Sequence, residues 1–269
     1  MKLPKTNSTF FDYIGFNSGS PDLFQLELGM GPHLLQDDGT VHPGVFATML
    51  DITMGATISL ETNSFATTIN LNLSFFDLVP KERYQAETRI LNKDDKYVTA
   101  EGCIYDQDRF LIAKGNGTFK TGSMIQFAEE ENDESVPVIK RNVLNDWEAN
   151  PFFTHIGFEV VNLEEDDILL KLPLKKELLN TNKMAHGGVH ASMLSTVQTI
   201  FLRNLYRVPV VAMNLEVHYF APTNSGHLFA RANIVQKGYK LATIEAEIVD
   251  EDDLLIAKGT GIFKILRKE

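Results

Sequence analysis

Two short motifs in this chain set a histidine and glycine at the head of an apolar stretch. They are Val41-His42-Pro43-Gly44-Val45 and Ala185-His186-Gly187-Gly188-Val189. Nine residues after His42 stands an acid, Asp51, inside Leu50-Asp51-Ile52; nine after His186 stands Ser195. Six residues before the two histidines are Gln36 and Asn180. These residue types suit chemistry at a carbonyl. A carboxylate can attack the carbon or take a proton from water. A backbone N–H at a helix start, reinforced by the helix dipole, can face an oxygen on which negative charge develops. Glycine lets a ligand approach that backbone closely, whereas proline has no N–H to offer. Each residue also has a plainer reading. Asp51 can face solvent, Gly187-Gly188 can be a turn before a helix, His186 a structural histidine and Asn180 a turn residue. The residues alone leave both readings open.

Other chemistries are less well supplied. Cys103 is the single cysteine, which excludes an internal disulfide and every multi-cysteine metal site. His33, His155, His190, His218 and His227 have no metal-ligand spacing to nearby acids, so neither a metal nor a cofactor is expected. A net charge of −11 argues against a general nucleic-acid binder. With 43% hydrophobic and 23% charged residues the composition is that of a globular protein. No apolar run is expected to reach the roughly 20 residues that cross a bilayer. The N-terminus lacks the apolar segment of a signal peptide. The expectation is therefore a cytoplasmic protein that does not engage a membrane.

The elements that must position these residues occur twice. Phe10-Phe11-Asp12-Tyr13-Ile14-Gly15-Phe16 is echoed by Phe152-Phe153-Thr154-His155-Ile156-Gly157-Phe158. Asn70-Leu71-Asn72-Leu73-Ser74-Phe75-Phe76 is echoed by Asn214-Leu215-Glu216-Val217-His218-Tyr219-Phe220. Leu111-Ile112-Ala113-Lys114-Gly115 recurs unchanged from Leu255 to Gly259, 144 positions later. A whole domain is duplicated. The expected units are residues 1–122 and 150–269, with 123–149 and its acidic run Glu129 to Glu134 as an exposed connection. In each copy a strand precedes the histidine motif and a helix follows it, over 45–60 and 189–206. In the first helix Phe46, Met49, Leu50 and Thr53 share one face. Strands over 68–76, 84–91, 97–105 and 110–119 complete copy one. In the first of these Ile69, Leu71, Leu73 and Phe75 alternate with Thr68, Asn70, Asn72 and Ser74. The fold class is α+β.

The spacing of Asn180 to His186-Gly187-Gly188 on one copy, and of an acid nine residues after the histidine on the other, resembles the hotdog-fold PaaI-like (4HBT-type) acyl-CoA thioesterases. The resemblance covers nearly all of both copies. It implies two tandem hotdog domains, each a long central helix wrapped by an antiparallel β-sheet. It also implies a site built between two units, one giving Asn and His-Gly-Gly, the other an acid and a strand hydroxyl. Combining loop two with helix one supplies every part: Asn180, His186, Gly187, Asp51 and Thr68. On this reading Asp51 is the nucleophile or base, Gly187 the oxyanion donor, Asn180 and Thr68 orient water or carboxylate, and His186 positions the loop. Lys183 replaces a glycine of the family's loop. The opposite pairing offers Gln36, His42, Pro43, Ser195 and Ala212 and is expected to be degenerate.

Acyl-CoA, or an acyl-carrier thioester, is the implied substrate. Gly188 is expected to contact it, with Lys237 and Lys240 holding its phosphates; Lys93 and Lys96 are their counterparts. Phe46, Met49, Met54, Met193 and Phe201 could line an acyl tunnel or simply be core. A homodimer of tandem chains is plausible for such folds. Two other functions compete: a non-catalytic acyl-CoA or acyl-carrier binding protein, and an enoyl-CoA hydratase. The hydratases carry Asp-x-Asn-Pro-x-His; here Asp37 to His42 keeps the spacing without the Asn-Pro pair.

Overall fold

Each motif histidine caps a helix. His42 and His186 lie in extended backbone, and the Nδ1 of each accepts the N–H two residues on, from Gly44 at 3.0 Å and Gly188 at 2.9 Å. An imidazole thus does the work usually done by a Ser, Thr or Asp side chain. The computed structural model describes residues 9–18, 25–122, 149–164 and 167–267. The acidic run expected in the connection lies outside the described residues.

Half one runs α1 (Thr9–Ile14), β1 (Phe16–Ser18), β2 (Leu26–Gly29), α2 (Pro43–Thr62), β3 (Phe65–Phe75), β4 (Arg83–Lys93), β5 (Tyr97–Asp106) and β6 (Leu111–Gly122). Half two repeats it as α3 (Pro151–Ile156), β7 (Glu159–Glu164), β8 (Asp167–Pro173), α4 (Gly187–Tyr206), β9 (Val210–Tyr219), β10 (His227–Lys237), β11 (Leu241–Val249) and β12 (Leu255–Ile265). All twelve strands form one antiparallel sheet in the order β1-β2-β4-β5-β6-β3-β9-β12-β11-β10-β8-β7. The halves join where β3 pairs with β9, from Asn70 opposite His218 to Ser74 opposite Asn214. Asn214 Nδ2 strengthens this seam, donating to Leu73 O at 2.7 Å and Asn72 Oδ1 at 3.0 Å.

Both long helices begin two residues earlier than expected, because the histidine caps draw Pro43 and Gly187 into the first turn. Proline is suited there, since the first helical N–H has no partner to lose. The expected stripe Phe46, Met49, Leu50 and Thr53 is buried, but so is every residue from Pro43 to Asp51. The first half of α2 is buried all round, between the sheet and α4, whereas its last turn reaches solvent at Leu60 and Glu61. At 20 residues it has the length and hydropathy of a membrane span, contrary to the expectation from sequence; it is the core helix of half one.

The two helices meet through glycine. A methyl group on Gly44 would stand 2.1 Å from Ser192 Oγ and 2.7 Å from Ser192 Cα; one on Gly188 would stand 2.2 Å from Thr48 Oγ1. Backbone lies against backbone, so the clash cannot be relieved by a rotamer change. Gly44→Ala is therefore expected to destabilise the protein by about 1–3 kcal/mol through overpacking. Urea unfolding measures it, and an unchanged midpoint would contradict this helix contact.

The short helices cross between halves. Phe10 N–H donates to Leu179 O at 3.3 Å and Phe152 N–H to Leu35 O at 3.0 Å. Their rings lie on the capping histidines of the opposite half. Phe10 is tilted on His186 with centroids 5.3 Å apart, and Phe152 is stacked on His42 at 4.1 Å.

Candidate active site

One irregularity in the sheet places a hydroxyl. Strict alternation puts Thr68 on the polar face with Asn70, Asn72 and Ser74. In the structure the register of β3 against β6 slips between Thr68 and Asn70, so Thr68 lies opposite the buried Phe119. This β-bulge at Ile69 turns Thr68 inward, a use to which bulges near functional sites are often put. Thr68 Oγ1 donates to Asp51 Oδ1 at 2.7 Å.

Asp51 itself is only 6% exposed, which excludes the solvent-facing reading. Its second oxygen is turned to the start of α4. A methyl group on Gly187 would stand 2.7 Å from Oδ2, and His186 Nδ1 lies 3.6 Å from Oδ2. That last approach is neither a hydrogen bond nor an ion pair. The Nδ1 lone pair already accepts from Gly188, and burial pulls His186 down to about 4, so the ring is neutral with its proton on Nε2. Gly187 is half-buried and is the first residue of α4. Its N–H is one of the amides that a helix start leaves without an intrahelical carbonyl.

Burial lifts Asp51 to about 6, with the Thr68 bond pulling the other way. A carboxyl raised from 3.8 in the unfolded chain to about 6 in the fold binds its proton more tightly when folded. Ionising it therefore costs the folded state nothing below about pH 4, and progressively more up to about pH 6. Above that the cost is constant at about 3 kcal/mol. Asp51→Asn removes this cost. The variant is expected to melt higher than wild type at pH 8 and to lose that advantage at pH 4; equal differences at both pH values would contradict the burial of the charge.

Tyr219 completes the surroundings and was not anticipated. Its hydroxyl donates to Gly187 O at 3.1 Å, and its Cε1 would lie 3.5 Å from a methyl group on Gly187. Burial and then the charge of Asp51 push the phenol well above its ordinary range, so it stays a donor. A signal existed in the sequence: the copies read Ser74-Phe75-Phe76 and His218-Tyr219-Phe220, and only the second carries the hydroxyl.

One expectation needs correction. Gly188 is buried against Thr48, and its N–H is held by His186, so it serves packing and capping rather than substrate contact. Lys237 and Lys240 belong to the β10–β11 hairpin, which packs on Tyr206 through a hydrogen bond from its hydroxyl to Gly238 O at 2.9 Å. Tyr206 ends α4, about 28 Å along the axis from Gly187 at 1.5 Å per residue, which places this hairpin at the opposite end of α4 from Gly187. Asn180 turns its Oδ1 to the N–H groups of Asn182 at 2.8 Å and Met184 at 3.2 Å. That carbonyl shapes the loop that delivers His186. Lys183 keeps that loop's left-handed turn at φ 60°, where half one has Gly39 at 79°.

The pseudo-symmetric position lacks the same parts. Where Asp51, Thr68, Gly187 and Tyr219 stand, it has Ser195, Ala212, Pro43 and Phe75. Ser195 is 1% exposed and its Oγ has no hydrogen-bond partner among the described residues. His42 Nε2 donates to Thr196 Oγ1 at 3.1 Å, and Thr196 in turn donates to Ser192 O. The preceding loop is pinned down: Arg203 holds Asp37 at 2.7 Å and Asp38 at 2.9 Å. Asp37, the acid of the hydratase-like spacing, is thereby engaged in an ion pair between the halves. Among the described residues no three His, Cys, Asp or Glu side chains converge as a metal site requires.

The family model described as the thioesterase superfamily matches residues 38–113 and again 182–257, together more than half of the chain. The chain belongs to the thioesterase superfamily. Each match spans one capping histidine, its helix and the strands that follow, so this thioesterase-superfamily chain is a tandem of two hotdog units. A protein of Saccharolobus solfataricus named "Putative esterase" is 25% identical over 120 residues, which is 44% of this chain and 86% of that protein. That is about one half of the tandem. Among solved structures, a hotdog-fold protein from Alicyclobacillus acidocaldarius has a TM-score of 0.69 at 10% identity, covering 97% of this chain and 98% of its own. An acyl-CoA thioesterase II from Mycobacterium marinum has a TM-score of 0.61 at 10% identity, covering 97% and 98%. At that identity these likenesses establish the two-unit hotdog fold.

Proposed function

We propose that this chain hydrolyses an acyl thioester, of coenzyme A or an acyl carrier, at one composite site per chain. The observation that carries this reading is the meeting of Asp51 Oδ2 from one half with the open helix start at Gly187 from the other. The acyl oxygen sits at the Gly187 N–H, where the helix dipole and the amide stabilise the charge it gains. Asp51 Oδ1 is tied to Thr68, which leaves Oδ2 to attack the acyl carbon or to take a proton from the water that does. In the direct route the Oδ2–carbon bond forms, the carbon–sulfur bond breaks as thiolate leaves, and water then cleaves the mixed anhydride to restore the carboxylate. In the water route the new carbon–oxygen bond forms as the proton passes to Asp51. The carbon–sulfur bond then breaks, the thiolate leaves, and it takes up that proton from Asp51 afterwards. A thiol is acidic enough to be a good leaving group without further help. Tyr219 holds the first turn of α4 in place through Gly187 O.

The second position, with serine, alanine and proline in the matching places, has neither base nor donor and is read as inactive. Free-thiol release from short, long and aromatic acyl-CoAs tests the proposal. Release that depends on Asp51 supports it. Saturable binding with no release by the folded protein would instead favour a non-catalytic acyl-CoA binder.

The pH dependence follows from the buried acid. Only the carboxylate form of Asp51 can act as nucleophile or base, and it is lost as pH falls through about 6. The expected kcat/KM profile is flat at neutral pH and falls tenfold per pH unit below about 6. A profile that stays flat down to pH 4.5 would remove Asp51 from the rate-limiting chemistry.

A further inference from the structure

One polar side chain beside the site takes no part in the steps above. His190 lies one turn beyond His186 on α4 and is 4% exposed, and among the described residues neither of its ring nitrogens has a hydrogen-bond partner. Buried polar atoms are nearly always paired. Two orphaned nitrogens on one ring call for a partner, a buried water or a ligand atom. Burial and the neighbouring His186 hold the ring down to about 4, so it is neutral and offers one donor and one acceptor. Its centroid lies 6.0 Å from that of Tyr219, the residue whose hydroxyl and ring edge border Gly187.

The other half of the chain shows what the fold needs at this position when no site is present. There the helix carries Phe46 and the strand carries Phe75. Phe46 packs edge-on against Tyr84 with centroids 5.0 Å apart. Tyr84 pairs with Leu28, and its register counterpart Leu228 pairs with Leu172. Half two has therefore exchanged an aromatic pair for an imidazole and a smaller aliphatic side chain, beside the one acid that has its glycine donor. An apolar core would gain nothing from that exchange, since the imidazole loses its hydrogen bonds to water and finds none in the protein.

We propose that His190 is a specificity residue that hydrogen-bonds an oxygen carried on the acyl group, so that this site favours hydroxy- or oxo-acyl thioesters over the matching plain acyl thioesters. The proposal rests on the hydrolysis reading for the position of the acyl group. A site built to hydrogen-bond a substrate oxygen rejects the analogue without it, because its own buried polar groups are then left unpaired.

The test uses acyl-CoAs in matched pairs that differ only by a hydroxyl or oxo group at carbon 2, 3 or 4, with kcat/KM for thiol release as the readout. Wild type is expected to prefer the oxygenated member of at least one pair by tenfold or more. In His190→Phe, which installs the residue that half one carries here, that ratio collapses towards one. His190→Gln keeps a donor and an acceptor and retains part of the preference. A wild-type ratio near one for every pair, or a ratio unchanged in His190→Phe, overturns the proposal. The second outcome includes an equal fall on both members, as a purely structural histidine would give. Calorimetric binding of the same pairs to Asp51→Asn, with and without His190→Phe, reads the preference without turnover. If wild type releases no thiol from any acyl-CoA, the hydrolysis reading fails. The binding ratio then still decides on His190: a preference lost with the imidazole supports it, and no preference overturns it.

Discussion

Asp51→Asn is expected to lower kcat for thiol release by about 10²–10⁴-fold, the range that a positioned base or nucleophile contributes. The substitution suits the test because it changes so little else. Asparagine has the same shape, and its Oδ1 can still accept from Thr68, as the carboxylate does at 2.7 Å. What disappears is the negative oxygen facing Gly187. Since a buried charge is also removed, the variant should be at least as stable as wild type at pH 8, so a loss of activity cannot be laid to unfolding. Thiol release by the two proteins over the same acyl-CoA panel, with melting curves recorded in the same buffer, gives both readings. A variant within tenfold of wild type would mean that the acid of half one is a structural residue and that the chemistry lies elsewhere in the chain.

The pairing of Asp51 with His186-Gly187 was legible because the chain holds both partners. Position-by-position comparison of the copies, Asp51 against Ser195 and Gly187 against Pro43, separates a complete set from an incomplete one without any structure. The helix around Asp51 was legible as a helix, but its burial on every side was not. Periodicity reports one apolar face, and the second face of α2 is covered by α4 through Gly44 and Gly188. Thr68 could be chosen by alignment, yet its local pattern contradicted the choice. Alternation turned it outward, and only the bulge at Ile69 turns it in. A bulge is one extra residue in one strand, and nothing in Thr68-Ile69-Asn70 marks it. The position of Lys237 and Lys240 was not legible for a different reason. A hairpin's lysines can be placed on a turn from sequence, but which end of a 20-residue helix that turn meets is a matter of tertiary geometry. Tyr219 and His190 were readable in principle, since each faces a phenylalanine in the other copy. Both gain a polar atom only in the half that carries Gly187.

Gly187→Pro is expected to reduce kcat by about 10²–10³-fold, the cost of losing one oxyanion donor. The chain itself indicates that the fold will accept it. His42 precedes Pro43 with φ −67° and ψ 130°, and His186 precedes Gly187 with φ −68° and ψ 141°. That extended backbone is what a following proline requires, and a first helical position is where proline does least harm. Its Cβ would come within 2.7 Å of Asp51 Oδ2, so the carboxylate must yield by a few tenths of an ångström. In the other half the residue that corresponds to Asp51 is the shorter Ser195. Gly187→Ala separates the two effects, because it adds the same Cβ but keeps the N–H. If the amide is the oxyanion donor, the proline variant falls well below the alanine variant in kcat, with both folded by circular dichroism. Equal losses in the two would show that Gly187 matters only for the space it leaves beside Asp51. Activity near wild type in the proline variant would place the oxyanion away from the start of α4 altogether, and the composite site would then have lost the half that α4 supplies.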